Sequence, residues 1–198
     1  MYGTENEKYL GGYWNVKNLW GDPGTWGPEI WDKIIKDYNI ETVADIGCGL
    51  GYSTRYFSQR RLYAIGVEGG ENAIKNTVFD GVIIKNDYTK SAAFNNDEKF
   101  DLIWCCEFVE HVEEQYSDNF LFDFSKGKYV AMTFAIPGQD GYHHVNCQTQ
   151  EYWIEKLEKL GFSFDVDYTN LLRSIAIQST NSSFNHSGHL QRILFFKR

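Results

Sequence analysis

The chain reads as an α/β protein, a doubly wound and mostly parallel sheet with helices on both faces. Three observations predict it. Short apolar runs with β-branched residues alternate with helix-compatible segments along most of the sequence. Three glycines, Gly47, Gly49 and Gly51, follow the first such run at once, and a helical segment comes next. The 198 residues, 42% hydrophobic and 23% charged, suffice for one domain with a full core and exclude a disordered chain.

In order, residues 1–36 are rich in glycine and aromatics, with Tyr13, Trp14, Trp20, Trp26 and Trp31 around a Gly21-Asp22-Pro23-Gly24 turn. Pro28 suits the first turn of a helix over 29–38, in which Ile30, Trp31, Ile34 and Ile35 recur at helical spacing. This segment is set apart as a lid or cover on a main domain over 37–198. Thr25 and Trp26 are its candidates for touching a ligand.

Strand one covers 42–46 and is followed by the glycine turn and a helix over 52–60. Strand two covers 62–67 and ends at Glu68; a helix over 71–79 and strand three over 82–85 come next. Strand four covers 100–105, a helix 112–122, and strand five 128–136, closed by Pro137-Gly138. A helix over 149–160 is stopped by Gly161. Two closing strands, 162–168 and 192–197, flank a polar loop containing Asn181-Ser182-Ser183. That makes seven strands.

The net charge of −8 argues against a large phosphate-binding surface, so nucleic acid is an unlikely partner. The 17% aromatic content fits buried rings or an aromatic-walled pocket. The four cysteines, Cys48, Cys105, Cys106 and Cys147, form no metal-ligand spacing. No leader or long apolar run is evident, so a reduced, cytoplasmic protein without a membrane span is expected.

The first strand and its turn carry the pattern Asp45-x-Gly47-x-Gly49-x-Gly51. The dinucleotide fingerprint needs its third glycine one position later, where Tyr52 stands. The pattern resembles instead the first motif of class I S-adenosylmethionine (SAM)-dependent methyltransferases. The resemblance covers roughly residues 37–198. It implies a Rossmann-like seven-stranded sheet whose last strand runs antiparallel, with SAM as cofactor and S-adenosylhomocysteine (SAH) as product. Asp45 then suits the ammonium of the methionine end, and the N–H groups of the turn suit its carboxylate.

Ligands of open α/β sheets bind beyond the C-terminal ends of the strands. Glu68 lies there, 21 residues after Gly47, and its carboxylate can accept both ribose hydroxyls of an adenosine. Asp87 can accept the adenine amino group, with Tyr88 beside the ring; the alternative is a plain Asn-Asp cap. Glu107, just past strand four, is counted with the cofactor site, as is Trp26.

The stretch after strand four, Glu107-Phe108-Val109-Glu110-His111, resembles the Glu-x-x-Glu-His of small-molecule O-methyltransferases of the ubiquinone-biosynthesis type. The small-RNA 3′-terminal 2′-O-methyltransferases use such a string with a distant His to hold magnesium or manganese. Glu107, Glu110, His111 and His144 are therefore an alternative metal set; helix-dipole complementation is the plainer role.

After strand five runs Pro137-Gly138-Gln139-Asp140-Gly141-Tyr142-His143-His144-Val145-Asn146, which resembles methyltransferases from bacterial and phage gene sets for surface glycans and small metabolites. Methylating a hydroxyl requires loss of its proton, and imidazole titrates in the right range. His144, then His143, is the candidate general base. The reading is a SAM-dependent methyltransferase acting on a hydroxyl of a small polar acceptor such as a sugar. The alternatives are a metal-assisted RNA 3′-end 2′-O-methyltransferase and a non-catalytic SAM-binding regulatory module. The oligomeric state is not legible.

Overall fold

The computed structural model describes residues 23–178 and 189–198. One seven-stranded sheet organises them. Its strands are β1 (Thr42–Ile46), β2 (Tyr63–Glu68), β3 (Ile83–Lys85), β4 (Phe100–Cys105), β5 (Gly127–Met132), β6 (Ser163–Phe164) and β7 (Leu194–Lys197). The order is β3-β2-β1-β4-β5-β7-β6. β1 to β5 pair in parallel, and β7 enters antiparallel between β5 and β6. The expected fold class is the one observed.

Alternate residues of each strand face opposite sides, as the two-residue strand period demands. Val43, Leu102, Trp104 and Phe195 meet α1 (Pro28–Tyr38), α2 (Tyr52–Gln59) and α6 (Val166–Gln178) on one face. Ala44, Ile103, Val130 and Phe196 meet α4 (Ser117–Phe124) and α5 (Gln150–Lys159) on the other. Both faces are thus covered, which is why the central strands are nearly continuous apolar runs. The short α3 (Glu71–Lys75) sets Ala73 against Leu50 beside the glycine turn. Trp104, inside β4, is 1% exposed and belongs to the core.

Besides the helix expected over 71–79, which stops at Lys75, three expectations differ from the structure. Residues 162–168 are not one strand: after Phe164 the chain enters α6. Asp165 caps that helix, its Oδ1 accepting the Tyr168 N–H at 3.0 Å, while Thr169, Leu172 and Ala176 turn inward at helical spacing. The alternating Phe162, Phe164 and Val166 mimic a strand and hide the cap. Second, β5 ends at Met132, not at 136, and Thr133 turns its hydroxyl toward the site. Third, the helix expected over 112–122 begins only at Ser117; before it the chain makes two 3-10 turns, Val109–His111 and Glu114–Tyr116.

α1 is anchored by buried Ile30, Trp31 and Ile34 and crosses the expected boundary at residue 36. Tyr13, Trp14, Trp20 and the loop at 181–183 lie outside the described residues. No helix among the described residues is long and apolar enough to cross a membrane.

Candidate active site at the strand ends

The glycine turn is built by backbone conformation. Gly47, Gly49 and Gly51 have φ of 73°, 55° and 81°, a region that L side chains rarely adopt. A Cβ on Gly47 would lie 2.5 Å from the Phe108 ring, whereas one on Gly49 would meet nothing within 4 Å. The surface over Gly49 is therefore open to a ligand that approaches the main chain closely.

The N–H groups at four positions of the turn are already engaged. Those of Gly47 and Cys48 donate to Val67 O at 2.9 and 3.1 Å, and that of Gly51 donates to Cys48 O at 2.9 Å. The Gly49 N–H donates to Glu68 Oε2 at 2.9 Å, and Gly70 N–H to Oε1 at 2.7 Å. The expected anion cradle is thus not formed by these four donors, because the turn uses them to hold itself. The same bonds pin the Glu68 carboxylate over the open side of the turn.

Asp45 also departs from expectation. It is 2% exposed, and its Oδ2 accepts the hydroxyls of Ser53 and Thr54 at 2.6 Å each. Burial pushes its carboxyl up to about 6, against the two hydroxyls that favour the charged form. Asp45 fastens the first turn of α2 to the end of β1; it does not reach out to an ammonium.

Asp87 accepts Thr89 N–H at 2.9 Å and the Thr89 hydroxyl at 2.6 Å, and pairs with Lys90 at 2.9 Å. Burial alone would raise its carboxyl, but these partners hold it below the ordinary value. Tyr88 is corrected outright. It is 4% exposed, its hydroxyl donates to Asp123 at 2.7 Å, and its ring packs against Phe108 and Phe120, so it does not face a ligand ring. Trp26 sits edge-on to Trp31 and Tyr56, with centroids 5.0 and 5.6 Å away. Thr25 closes the 3-10 turn Pro23–Thr25.

Beyond β4 the structure separates residues that the sequence puts together. Glu110 is fully buried, and neither carboxylate oxygen meets a hydrogen-bond donor among the described residues. Burial and the neighbouring Glu107 carboxylate push its pKa well above the ordinary range. Glu110, His111 and His144 bring one ligand atom each to within 4.8 Å of one another, while Glu107 is not in the group. His111 donates from Nδ1 to His143 O at 3.3 Å, and burial brings its pKa down to about 4. His144 makes the same kind of bond to Gln139 O, also at 3.3 Å, and stands edge-on to His111. His143 has φ of 52°, and its Nε2 is buried without a partner among the described residues.

Glu107 leaves the alternative metal set because two other residues claim its carboxylate. Oε1 accepts the Thr133 hydroxyl at 2.8 Å, and Oε2 is in contact with His189 Nδ1. Burial would raise this carboxyl, but His189 and Thr133 bring it below the ordinary value. Thr133 and His189 were missed in the sequence. Thr133 was read as strand, and His189 lies 82 residues from Glu107 with no local motif around it.

Residues 44–120 match the family described as a methyltransferase domain. The matched stretch holds the end of β1, the glycine turn, Glu68, Asp87 and the Glu107–His111 string. No curated protein sequence matches the chain. Among solved structures, the chain is similar to a SAM-dependent methyltransferase from Archaeoglobus fulgidus, with 19% identity over 93% of this chain and all of that one and a TM-score of 0.57. It is also similar to magnesium protoporphyrin IX methyltransferase from Synechocystis PCC 6803, at 16% identity over 97% and 88% of the two chains and a TM-score of 0.62. A TehB-like SAM-dependent methyltransferase from Corynebacterium glutamicum matches at 15% identity over 86% of each chain, with a TM-score of 0.61. At these identities the structures share the methyltransferase fold, and the acceptor is not carried over from them.

Proposed function

We propose that this methyltransferase moves the methyl group of SAM to a hydroxyl of a small polar acceptor such as a sugar. The observation that carries the reading is the cluster of Glu110, His111 and His144 past the end of β4, beside the strand that bears the glycine turn. When bound, SAM supplies an electrophilic methyl on a sulfonium, already a good leaving group. What remains for the protein is alignment, exclusion of water and removal of one proton.

On the donor side, Glu68 accepts the ribose hydroxyls from its pinned position, and the open face of Gly49 lets the ligand lie on the main chain. Asp87, Glu107 and Trp26 remain the proposed outer contacts of the donor. On the acceptor side, His144 takes the proton: Nδ1–H given to Gln139 O leaves the Nε2 lone pair for the acceptor hydroxyl. The four cysteines are all free of disulfides, as suits the reduced, cytoplasmic setting expected. The test is calorimetric titration with SAM, coupled to SAH release on a panel of sugars and hydroxylated metabolites. Wild type and His144→Ala are expected to bind SAM alike, with turnover of the variant about 10²–10⁴-fold slower. Unchanged turnover would remove His144 as the base.

A second reading is favoured by one observation: an enclosed carboxylate without a donor among the described residues, beside two imidazoles. Glu110, His111 and His144 would hold a divalent ion, and the neutral state of His111 suits a ligand. Such an ion would act as a Lewis acid on the acceptor hydroxyl. Two imidazoles with one carboxylate suit manganese, cobalt or zinc better than magnesium. An RNA 3′ end would be the acceptor under this reading, and the net charge of −8 weighs against it. Calorimetry with manganese and zinc on the chelator-treated protein separates the two readings; no binding at millimolar metal would dismiss the second.

A further inference from the structure

Glu107 has φ of 51°, left-handed and unusual for a residue with a side chain. Such a conformation persists only where its surroundings over-determine it. Here the surroundings are two side chains. The Thr133 hydroxyl accepts the Glu107 N–H at 2.8 Å and donates to Oε1 at 2.8 Å, closing a small ring around the residue. His189 meets the other oxygen through Nδ1.

The bend at Glu107 also directs the next residue. Phe108 lies so close to Gly47 that a single added carbon there would meet its Cβ, Cγ and Cδ2 at 2.7 Å or less. Phe108 is thus the floor under the first glycine of the turn. His189 comes from the other end of the chain, one residue before the 3-10 turn Leu190–Arg192 that leads into β7. That turn is fixed to the same strand ends. Arg192 Nε donates to Phe134 O at 3.1 Å, and Leu190 packs so tightly on Gly27 that a Cβ there would lie 2.5 Å from its methyl.

We infer that His189 is a positioning residue for the methyl donor: with Thr133 it clamps Glu107 in its left-handed form and so holds Phe108 beneath the glycine turn. This inference rests on the reading that the crevice above the turn takes SAM. Without the clamp, Glu107 relaxes to negative φ, Phe108 swings off Gly47, and the donor loses its floor.

The experiment is a double-mutant cycle on the full chain, read by SAM dissociation constant and by turnover. His189→Ala is expected to weaken SAM about tenfold, equivalent to ~1.4 kcal/mol, with turnover at saturating SAM within about threefold of wild type. His189→Asn, whose amide nitrogen stands where Nδ1 was, restores SAM affinity to within about threefold. In Glu107→Gly, which adopts the left-handed form at no cost, adding His189→Ala changes SAM affinity by less than about twofold. Should His189→Ala not fold, His189→Gln takes its place, because its amide lies one carbon too far out. Wild-type SAM affinity in the His189 variants, or an equal loss in both backgrounds, overturns the inference. A wild-type chain that binds no SAM overturns the underlying reading instead.

Discussion

The two halves of the site are made differently. The donor side is backbone: three left-handed glycines, a strand end and one carboxylate, all within residues 45–70 and all tied into the fold. The acceptor side is side chains brought from two segments, Glu110 and His111 from one and His143 and His144 from the other. It also carries the unpaid electrostatics, above all the enclosed Glu110 carboxylate. Buried polar groups are nearly always hydrogen-bonded, so an exception of this kind marks function more sharply than any satisfied group. The comparison teaches that the turn side is closed by its own hydrogen bonds, whereas the Glu110 side keeps a buried carboxylate with no donor among the described residues.

Three changes test that comparison. Glu110→Gln removes the only carboxylate of the proposed metal cluster. Manganese or zinc affinity, measured by calorimetry, is expected to fall by more than about a hundredfold, since even outer partners of a metal site are worth 10–100-fold. SAM affinity should stay unchanged, and equal losses of metal and SAM would mean that the two halves are not separable. Glu68→Ala acts on the other half. SAM affinity is expected to drop by more than about tenfold, the scale of lost charge-assisted hydrogen bonds, with metal binding untouched. A Glu68→Ala protein that binds SAM like wild type would take the donor away from β2.

The third change sharpens the idea that the donor side is held by folding alone. Asp45 has a folded pKa of about 6 against an ordinary 3.8. A raised carboxyl contributes stability that is fully present below the unfolded pKa and is lost as pH rises through the folded one. Its contribution should therefore decline between about pH 4 and pH 6 and be flat above. Two units correspond to on the order of 3 kcal/mol. Urea unfolding of wild type and Asp45→Asn at several pH values measures it, because the difference between the two curves cancels the other titrating groups. Parallel curves through that window would show that Asp45 is charged in the native state.

The same contrast explains what was legible in the sequence. The parallel sheet, the glycine turn and Glu68 are local patterns: a period of two, a period of 3.6, and a fixed distance across one β-α-β unit. Strands one to four, the turn and Glu68 fall within a residue or two of where these patterns put them, while strand five stops four residues short of 136. The strand expected over 162–168 failed because Phe162, Phe164 and Val166 carry the strand period while Asp165 quietly caps a helix. Tyr88 was misread because a tyrosine after a strand can stack on a ligand or bury itself, and only Asp123, 35 residues on, decides it. Glu107 reads as a cofactor contact or, in the alternative set, as a metal ligand beside Glu110. Its partner His189 enters from the far end of the chain, and nothing local announces it. Long-range side-chain pairs are the part of a site that periodicity cannot reveal.

The most direct test is a crystal structure of the full chain grown with SAH. The account requires the adenosine ribose over the tip of β2, both hydroxyls within about 3.2 Å of the Glu68 carboxylate, and the amino acid end against the open face of Gly49. A nucleoside bound elsewhere, or a Glu68 side chain turned away from it, would contradict the account at its base.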